Sequence, residues 1–197
     1  MTTPKRIVVG ITGASGAAYA QRIIQQLAAS GIEVHLALTP FGRRLLHDEL
    51  GMEGIDLDAI SGGRSEQIIL HRDRDAGAAI GSGSFQHDGM VIVPCSSNTL
   101  GAIAHGITMN LVQRAAAVTL KERRPLIIAH REMPLSPIDI ENMRHLSRAG
   151  AVIAPLSPGF YLLPRSVDDI IDFVAARLLD LLNVSHQISA RWGENTA

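Results

Sequence analysis

The stretch KRIVVGITGASG, residues 5–16, decides the fold of this chain. Within it, IVVGI (residues 7–11) is an apolar run typical of a buried strand, and the glycine-rich turn TGASG follows directly. Ala20, Ile23, Ile24 and Leu27 then recur at the i, i+3, i+4, i+7 spacing of an amphipathic helix. The first N–H groups of a helix have no acceptor within the helix, and together with the helix dipole they attract anions. We therefore expect a phosphorylated ligand at this end of the chain.

The composition indicates one apolar domain of ordinary size. The chain has 197 residues, 46% of them hydrophobic, and a mean hydropathy of +0.17. These values predict a single domain over residues 1–197 with part of its surface covered by other subunits. A net charge of −1 argues against nucleic acid or a membrane as the main partner. The single Cys95 and the lack of a signal peptide or a long apolar run predict a cytoplasmic protein.

Apolar runs and helical patterns alternate along the chain. Further strands are predicted at 33–39, 89–95, 125–130 and 151–155, and helices at 15–29, 40–50, 97–106, 110–123, 136–149 and 166–183. The segment 51–87 has the weakest pattern and predicts a short helix, a possible strand at 67–70 and a loop. Unbroken apolar strands are typical of a parallel sheet covered on both faces. The fold class is therefore α/β: a Rossmann-like three-layer sandwich with a mainly parallel sheet.

Capping signals fix the start of two helices. Ser136 precedes a proline at the first helical position and an acid, Asp139, three residues on. Ser166 and Asp169 repeat this capping-box spacing.

The spacing of the glycine turn favours a mononucleotide or a phosphate over NAD. Gly10, Gly13 and Gly16 form G-x-x-G-x-x-G rather than the G-x-G-x-x-G of dinucleotide folds. The second strand ends in Thr39, a hydroxyl where such folds carry an acid. Taken alone, the turn is equally compatible with a plain tight turn.

Two other turns strengthen the case for a ligand site. VPCSSNTL, residues 93–100, places Ser96, Ser97, Asn98 and Thr99 between a strand and a helix, where they cap the helix and offer hydroxyl and N–H groups. The turn at 81–84, which contains Ser82, is flexible and rich in hydroxyls, and an ordinary loop explains it equally well.

Cations fall on helix stripes that otherwise carry apolar residues. Leu111, Arg114, Val118 and Lys121 share one stripe, so we expect an anion to meet the two cations. Arg123 and Arg124 fit a structural role near a helix C-terminus.

Arg177 shares a seam with Ile170, Val174 and Leu181, and it either pairs with an acid or reaches a ligand or subunit boundary.

Arg131 and Glu132 follow a predicted strand at its carboxyl end, which favours a site over a surface pair. Glu49, near a helix end, has the pattern of a solvated residue. The histidines lack ligand spacing, so no metal is predicted.

The motifs TGASG, SGSF, VPCSSNTL, RAAxVTLKERRPL, REMPLS, IENM, PGFY and RWG occur in an order that resembles the UbiX-type flavin prenyltransferases, most of all the branch associated with phenolic acid decarboxylases. The resemblance covers nearly the entire chain. It implies a homo-oligomer, usually a dodecamer, that moves a dimethylallyl group from dimethylallyl phosphate to reduced FMN without a metal. The prenylated FMN would serve a UbiD-type decarboxylase.

The resemblance also implies roles for individual residues. FMN contacts are expected from Gly13, Ala14, Ser15, Thr39, Ser96, Ser97, Asn98, Thr99 and Arg131. The prenyl phosphate is expected near Ser82, Arg114, Lys121, Glu132, Tyr161, Arg177 and Trp192, some of which reach across a subunit boundary. Glu132 is implied as proton donor to the departing phosphate, Lys121 as a stabiliser of its charge, and Glu49 with Ser15 as a proton relay.

Two other functions stay open. One is a flavin-dependent cysteine decarboxylase, whose helix-start turn resembles PCSSNT. The other is an accessory subunit of a decarboxylase that carries FMN without transferring anything.

Overall fold

One parallel sheet forms the centre of the protein. The computed structural model describes residues 5–75 and 77–188, so Trp192 lies outside the described residues. The strands are β1 Arg6–Ile11, β2 Glu33–Leu38, β3 Ile68–His71, β4 Gly89–Cys95, β5 Leu126–His130 and β6 Val152–Ile153. They run in the order β3-β2-β1-β4-β5-β6, and every pairing is parallel. The expected α/β sandwich is thus confirmed.

Helices cover both faces of this sheet. They are α1 Ala17–Ala29, α2 Pro40–Leu50, α3 Leu57–Ser61, α4 Ser97–Ala104, α5 Leu111–Lys121, α6 Pro137–Arg148 and α7 Val167–Leu181, with short 3-10 turns at Ser65–Gln67 and Ala79–Gly81. One apolar core joins α1, α2, α3 and α7 to one face. A second core joins α4, α5 and α6 to the other face. Alternate residues of each strand supply the two cores, which explains the unbroken apolar runs.

Helix starts follow the capping signals more closely than the apolar pattern. Both predicted capping boxes form, at Ser136 before α6 and at Ser166 before α7. Helix α1 begins at Ala17, two residues later than predicted, because Gly16 has φ +131 and lies outside helical geometry. The predicted strand at 151–155 has only two paired residues, since β6 is a short edge strand.

The strand order places the expected ligand crevice. The chain moves outward from β1 to β2 and β3, and β4 then returns to the other side of β1. Ligands of open parallel sheets bind at such a switch point, beyond the carboxyl ends of the strands. The turn TGASG follows β1, and CSSNT spans the junction of β4 with α4; both segments hold many of the predicted site residues.

Candidate functional site

Hydrogen bonds tie together the two loops at the switch point. The backbone N–H and the hydroxyl of Thr12 both donate to the carbonyl of Pro94, at 3.2 and 2.8 Å. The N–H of Ser96 donates to the Thr12 hydroxyl oxygen at 2.8 Å. The N–H of Thr39 donates to the Ile11 carbonyl at 3.0 Å. The residues after β1, β2 and β4 therefore form one rigid edge.

Packing explains Gly13 without any ligand. A Cβ built on Gly13 would clash with Cβ of Phe41, and one built on Gly42 would clash with the carbonyl of Ile11. The turn and the start of α2 therefore touch backbone to backbone. Phe41 is 74% exposed beside this turn. The sequence reading missed it, although an aromatic directly after Thr39-Pro40 at a strand end was a usable signal.

Glu49 caps helix α1 from the end of helix α2. Its Oε2 accepts the backbone N–H groups of Gly16 and Ala17 at 2.9 and 2.7 Å. Burial acts to raise the pKa of the Glu49 carboxyl, but hydrogen bonds from Ser15, Ala17 and Gly16 and the charge of Arg131 together lower it. Glu49 is exposed, as its pattern predicts, but the pattern did not predict that it caps α1. The phosphate site expected at the start of α1 also needs correction, because this carboxylate already holds two of its N–H groups.

Helix α4 offers the more open N-terminus. Ser96 is its N-cap, and its hydroxyl oxygen accepts the N–H of Thr99 at 3.4 Å. In the described part of the chain, the N–H groups of Ser97 and Asn98 have no acceptor. Thr39 caps α2 in the same way, accepting the N–H of Gly42 at 3.0 Å. The predicted polar turn thus caps its helix and still presents N–H donors to a ligand.

Arg131 carries an unpaired donor at the same edge. Its backbone N–H donates to the Cys95 carbonyl at 3.2 Å, which fixes it beside the start of α4. The Nε atom of its guanidinium is buried and finds no hydrogen-bond acceptor among the described residues. A buried donor without an acceptor destabilises a protein by about 1–3 kcal/mol, so the site suits an anion or a carbonyl that supplies the acceptor.

Glu132 is held on both carboxylate oxygens. Oε1 accepts the N–H of Met133 at 3.1 Å, and Oε2 accepts the hydroxyl of Ser97 at 3.4 Å. His130, the last residue of β5, is 2% exposed, and its Nε2 lies 3.2 Å from the same hydroxyl oxygen. The sequence reading missed His130, for which a polar residue ending a buried strand was the only signal.

Three predicted substrate residues have their partners in the 81–84 turn or at the end of α5. Arg114 donates from Nε to the Gly81 carbonyl at 3.1 Å, and the Ser82 hydroxyl lies 3.0 Å from that of Ser84. Lys121, the last residue of α5, forms an ion pair with Glu122. Both Arg114 and Lys121 are exposed. An anion, Glu122, meets Lys121 as expected, whereas Arg114 meets a carbonyl.

The 81–85 turn stands beside the amino ends of the strands. Arg124 donates to the carbonyls of Phe85 and Gly83 at 2.6 and 2.9 Å, which confirms its structural role. The N–H of Met90 donates to the Pro125 carbonyl at 2.9 Å, so the end of α5 adjoins the start of β4. Strand β4 has seven residues and spans roughly 20 Å. Lys121 and Glu132 of one chain are therefore at opposite edges of the sheet.

Two further predicted substrate residues, Arg177 and Tyr161, are exposed. Arg177 lies on α7 with a side chain that is 60% exposed, and its Nη1 is 3.4 Å from Asp180 Oδ2. It pairs with an acid, and its predicted place among buried residues is wrong. Tyr161 is 53% exposed and packs edge-on against Phe173 with ring centroids 5.5 Å apart.

Arg114 also lines a cleft of about 510 Å³ with Asp73, Arg74 and Met109.

The described residues contain no group of three or more His, Cys, Asp or Glu side chains arranged for a metal, and none of their helices is long and apolar enough to cross a membrane.

Known proteins resemble this chain over nearly its full length. The flavoprotein family matches residues 1–179. The flavin prenyltransferase UbiX of Thermoplasma acidophilum is 48% identical over 187 residues, which cover 95% of this chain and 99% of the relative. A UbiX structure, AnUbiX with FMN and dimethylallyl pyrophosphate, has a TM-score of 0.90 at 37% identity and covers 98% of this chain and all of its own.

Two further solved structures bear on assembly and on the alternative functions. A dodecameric FMN-dependent UbiX-like decarboxylase from Escherichia coli has a TM-score of 0.86 at 40% identity, covering 95% of this chain and 98% of its own. The cysteine decarboxylase TvaF has a TM-score of 0.63 at 19% identity, covering 91% of this chain and 98% of its own. The second likeness shows the fold alone.

Proposed function

This chain belongs to the UbiX-type flavin prenyltransferases of the flavoprotein family, and we propose that it transfers a dimethylallyl group from dimethylallyl phosphate to reduced FMN. The observation that carries the proposal is the buried Nε of Arg131, a donor that lacks an acceptor beside the open N-terminus of α4. This pairing of a guanidinium with free N–H groups suits a phosphorylated ligand.

FMN fits the carboxyl edge of the sheet. Its phosphate would take the N–H groups of Ser97 and Asn98, within the turn Ser96–Thr99, and its remaining polar atoms would meet Thr39 and Arg131. The backbone of Gly13, Ala14 and Ser15 would line the opposite wall. Bound reduced FMN supplies the nucleophilic ring that accepts the prenyl group.

Proton movements fall to residues that the chain already orients. Glu132, fixed on both oxygens, would give a proton to the departing phosphate. Glu49 and Ser15, which share a hydrogen bond at the start of α1, would take up the proton released when the new ring closes. The role of Glu49 requires it to be ionised, which agrees with its lowered pKa.

A second copy of the chain would complete the site. Lys121 lies at the amino edge, roughly 20 Å from Glu132, and so would reach the donor phosphate from a neighbouring copy. Ser82, and Arg114 that bonds the adjoining Gly81 carbonyl, would approach with it. Tyr161 and Arg177 are exposed and would approach in the same way. Large exposed apolar side chains support such an assembly, among them Phe41, Met109, Met133, Ile138, Phe160, Leu163 and Val167. We propose a homo-oligomer, specifically a dodecamer.

The product would be prenylated FMN, handed to a UbiD-type decarboxylase in the cytoplasm. The accessory-subunit alternative does not explain why Glu132 is oriented by two hydrogen bonds. The cysteine decarboxylase alternative has only the shared fold in its favour.

One incubation separates these functions. Purified protein, reduced FMN and dimethylallyl phosphate are combined without oxygen, and the flavin mass and the free phosphate are measured. We expect the flavin to gain one five-carbon unit with release of one phosphate. An unchanged flavin mass would contradict the proposal. Glu132→Gln should slow phosphate release at least tenfold, whereas Glu53→Gln, at an exposed loop position, should not change it.

A further inference from the structure

His130 is a buried histidine that no role above explains. It ends β5 directly before Arg131 and Glu132, and only 2% of it is exposed. Its Nε2 is 3.2 Å from the Ser97 hydroxyl oxygen, and that hydroxyl donates to Oε2 of Glu132 at 3.4 Å. The three side chains therefore form one chain of hydrogen bonds that begins in the core and ends at the proposed proton donor.

The Ser97 hydroxyl has a single proton to donate. If His130 carries its proton on Nε2, it donates to the Ser97 oxygen and leaves the hydroxyl proton for Glu132. If His130 carries its proton on Nδ1, Nε2 becomes an acceptor and competes with Glu132 for that proton. The tautomer of His130 thus decides whether Oε2 of Glu132 has a donor.

The surroundings of His130 keep it neutral and limit the competing acceptors. Burial is the largest influence and lowers the pKa of His130, as does Arg131, whereas Asp139 and Glu132 raise it. Asp139 of α6 is also within reach of the Ser97 hydroxyl. Its Oδ2 already accepts the hydroxyl and the N–H of Ser136, at 2.6 and 3.0 Å. Asp139 thus has a side-chain donor of its own in Ser136, whereas the Ser97 hydroxyl is the side-chain donor that Glu132 has among the described residues.

We propose that His130 is a positioning residue for the prenyl transfer, acting through the Ser97 hydroxyl to hold the carboxyl of Glu132 in one orientation. The inference rests on the proposed function, because it assigns a purpose to the orientation of Glu132. A proton donor that loses its fixed direction loses rate without losing substrate affinity.

The test compares His130→Leu, which removes the donor, with His130→Gln, whose amide N–H restores it. We expect His130→Leu to lower kcat about tenfold, with KM for dimethylallyl phosphate and FMN affinity unchanged. His130→Gln should recover most of the rate. His105→Leu, at an exposed position after α4, is the control. Equal rates for wild type and His130→Leu would overturn the inference while leaving the proposed function intact.

A second arm separates positioning from general damage to the fold. In a Glu132→Gln background, His130→Leu should have no further effect on kcat, because both changes act on the same step. A further tenfold loss there would show a merely structural role. If His130→Leu fails to fold, Ser97→Ala replaces it in the same cycle.

Solid-state NMR of ¹⁵N-histidine-labelled protein gives a readout that is independent of activity. We expect the neutral His130 side chain to carry its proton on Nε2, with the signal assigned by its loss in His130→Gln. A proton on Nδ1 would overturn the inference. A wild type that transfers no prenyl group but shows the Nε2 tautomer would instead refute the proposed function and, with it, the catalytic purpose of His130.

Discussion

Replacing Arg131 by methionine tests the anion site with two measurements that should move in opposite directions. The Nε of Arg131 is buried and has no acceptor in the described part of the chain. In the protein without ligand this donor lowers the free energy of unfolding by about 1–3 kcal/mol, and a bound ligand that accepts its hydrogen bond removes that loss. The same residue is thus expected to weaken the empty protein and to strengthen the complex.

The magnitudes follow from the hydrogen bond that is lost. A bond from a charged donor contributes about 1.5–3 kcal/mol, so Arg131→Met should raise the Kd for FMN by about 10- to 150-fold. The empty protein should keep its unfolding free energy or gain up to about 2 kcal/mol. A small loss offsets part of that gain, since Arg131 also favours the ionised form of Glu49.

Flavin fluorescence titration gives the Kd, and denaturant unfolding of the flavin-free protein gives the stability. Arg144→Met is the matched control, because Arg144 is exposed on α6 and pairs with Glu141. It should change neither value by more than about 0.5 kcal/mol. An Arg131→Met protein that binds FMN within twofold of wild type would refute the reasoning, as would one whose empty form is strongly destabilised.

Three other substitutions probe the frame around the site. His71 Nε2 lies 2.9 Å from His35 Nδ1, and burial lowers the pKa of both, so their stabilising contribution is present above about pH 6.5 and is lost as pH falls below it. His71→Gln should therefore shrink the drop in melting temperature between pH 7 and pH 5, and an unchanged drop would contradict this. Glu49→Gln should destabilise the protein by about 1 kcal/mol above pH 5 and by less near pH 3. The pKa of Glu49 is lowered in the folded protein, so its stabilising contribution is lost when acid protonates it. Equal losses at both pH values in denaturant unfolding would contradict the capping role. Gly13→Val should lower the free energy of unfolding by at least about 2 kcal/mol and weaken FMN binding, since its Cβ would clash with Phe41. A melting temperature equal to that of wild type would contradict this, because the turn would then accommodate the side chain.

Local signals in the sequence were enough to predict the sheet and most helices. The apolar runs of β1, β2, β4 and β5 predict strands because both faces of each are covered. The serines that begin α6 and α7 predict their first turns because a capping box acts within four residues. By contrast, the apolar run at 151–155 predicts a longer strand than β6, in which only two residues pair with β5. An apolar run does not tell how many of its residues find backbone partners at the edge of a sheet.

The site was predictable only where its chemistry is local. The turn Ser96–Thr99 caps α4 as its composition predicts. Glu49 bonds Gly16 across 33 positions, and a contact so distant leaves no periodic trace in the sequence. Arg177 and Lys121 fall on apolar stripes, yet both are exposed within one chain. Other copies of the chain would cover the apolar residues beside these two cations. The helical pattern of one chain does not tell a face that packs in the core from a face that packs on another copy.

Mixing two inactive variants tests most directly whether opposite edges of different copies build the site. Glu132→Gln disables the carboxyl edge and Lys121→Gln the amino edge, so each variant alone should transfer the prenyl group slowly. The two proteins are unfolded together, refolded into mixed oligomers and assayed for prenylated FMN. If the edges belong to different copies, mixed oligomers contain intact sites, and transfer should rise well above that of either variant refolded alone. Activity that stays at the level of the separate variants would contradict the account.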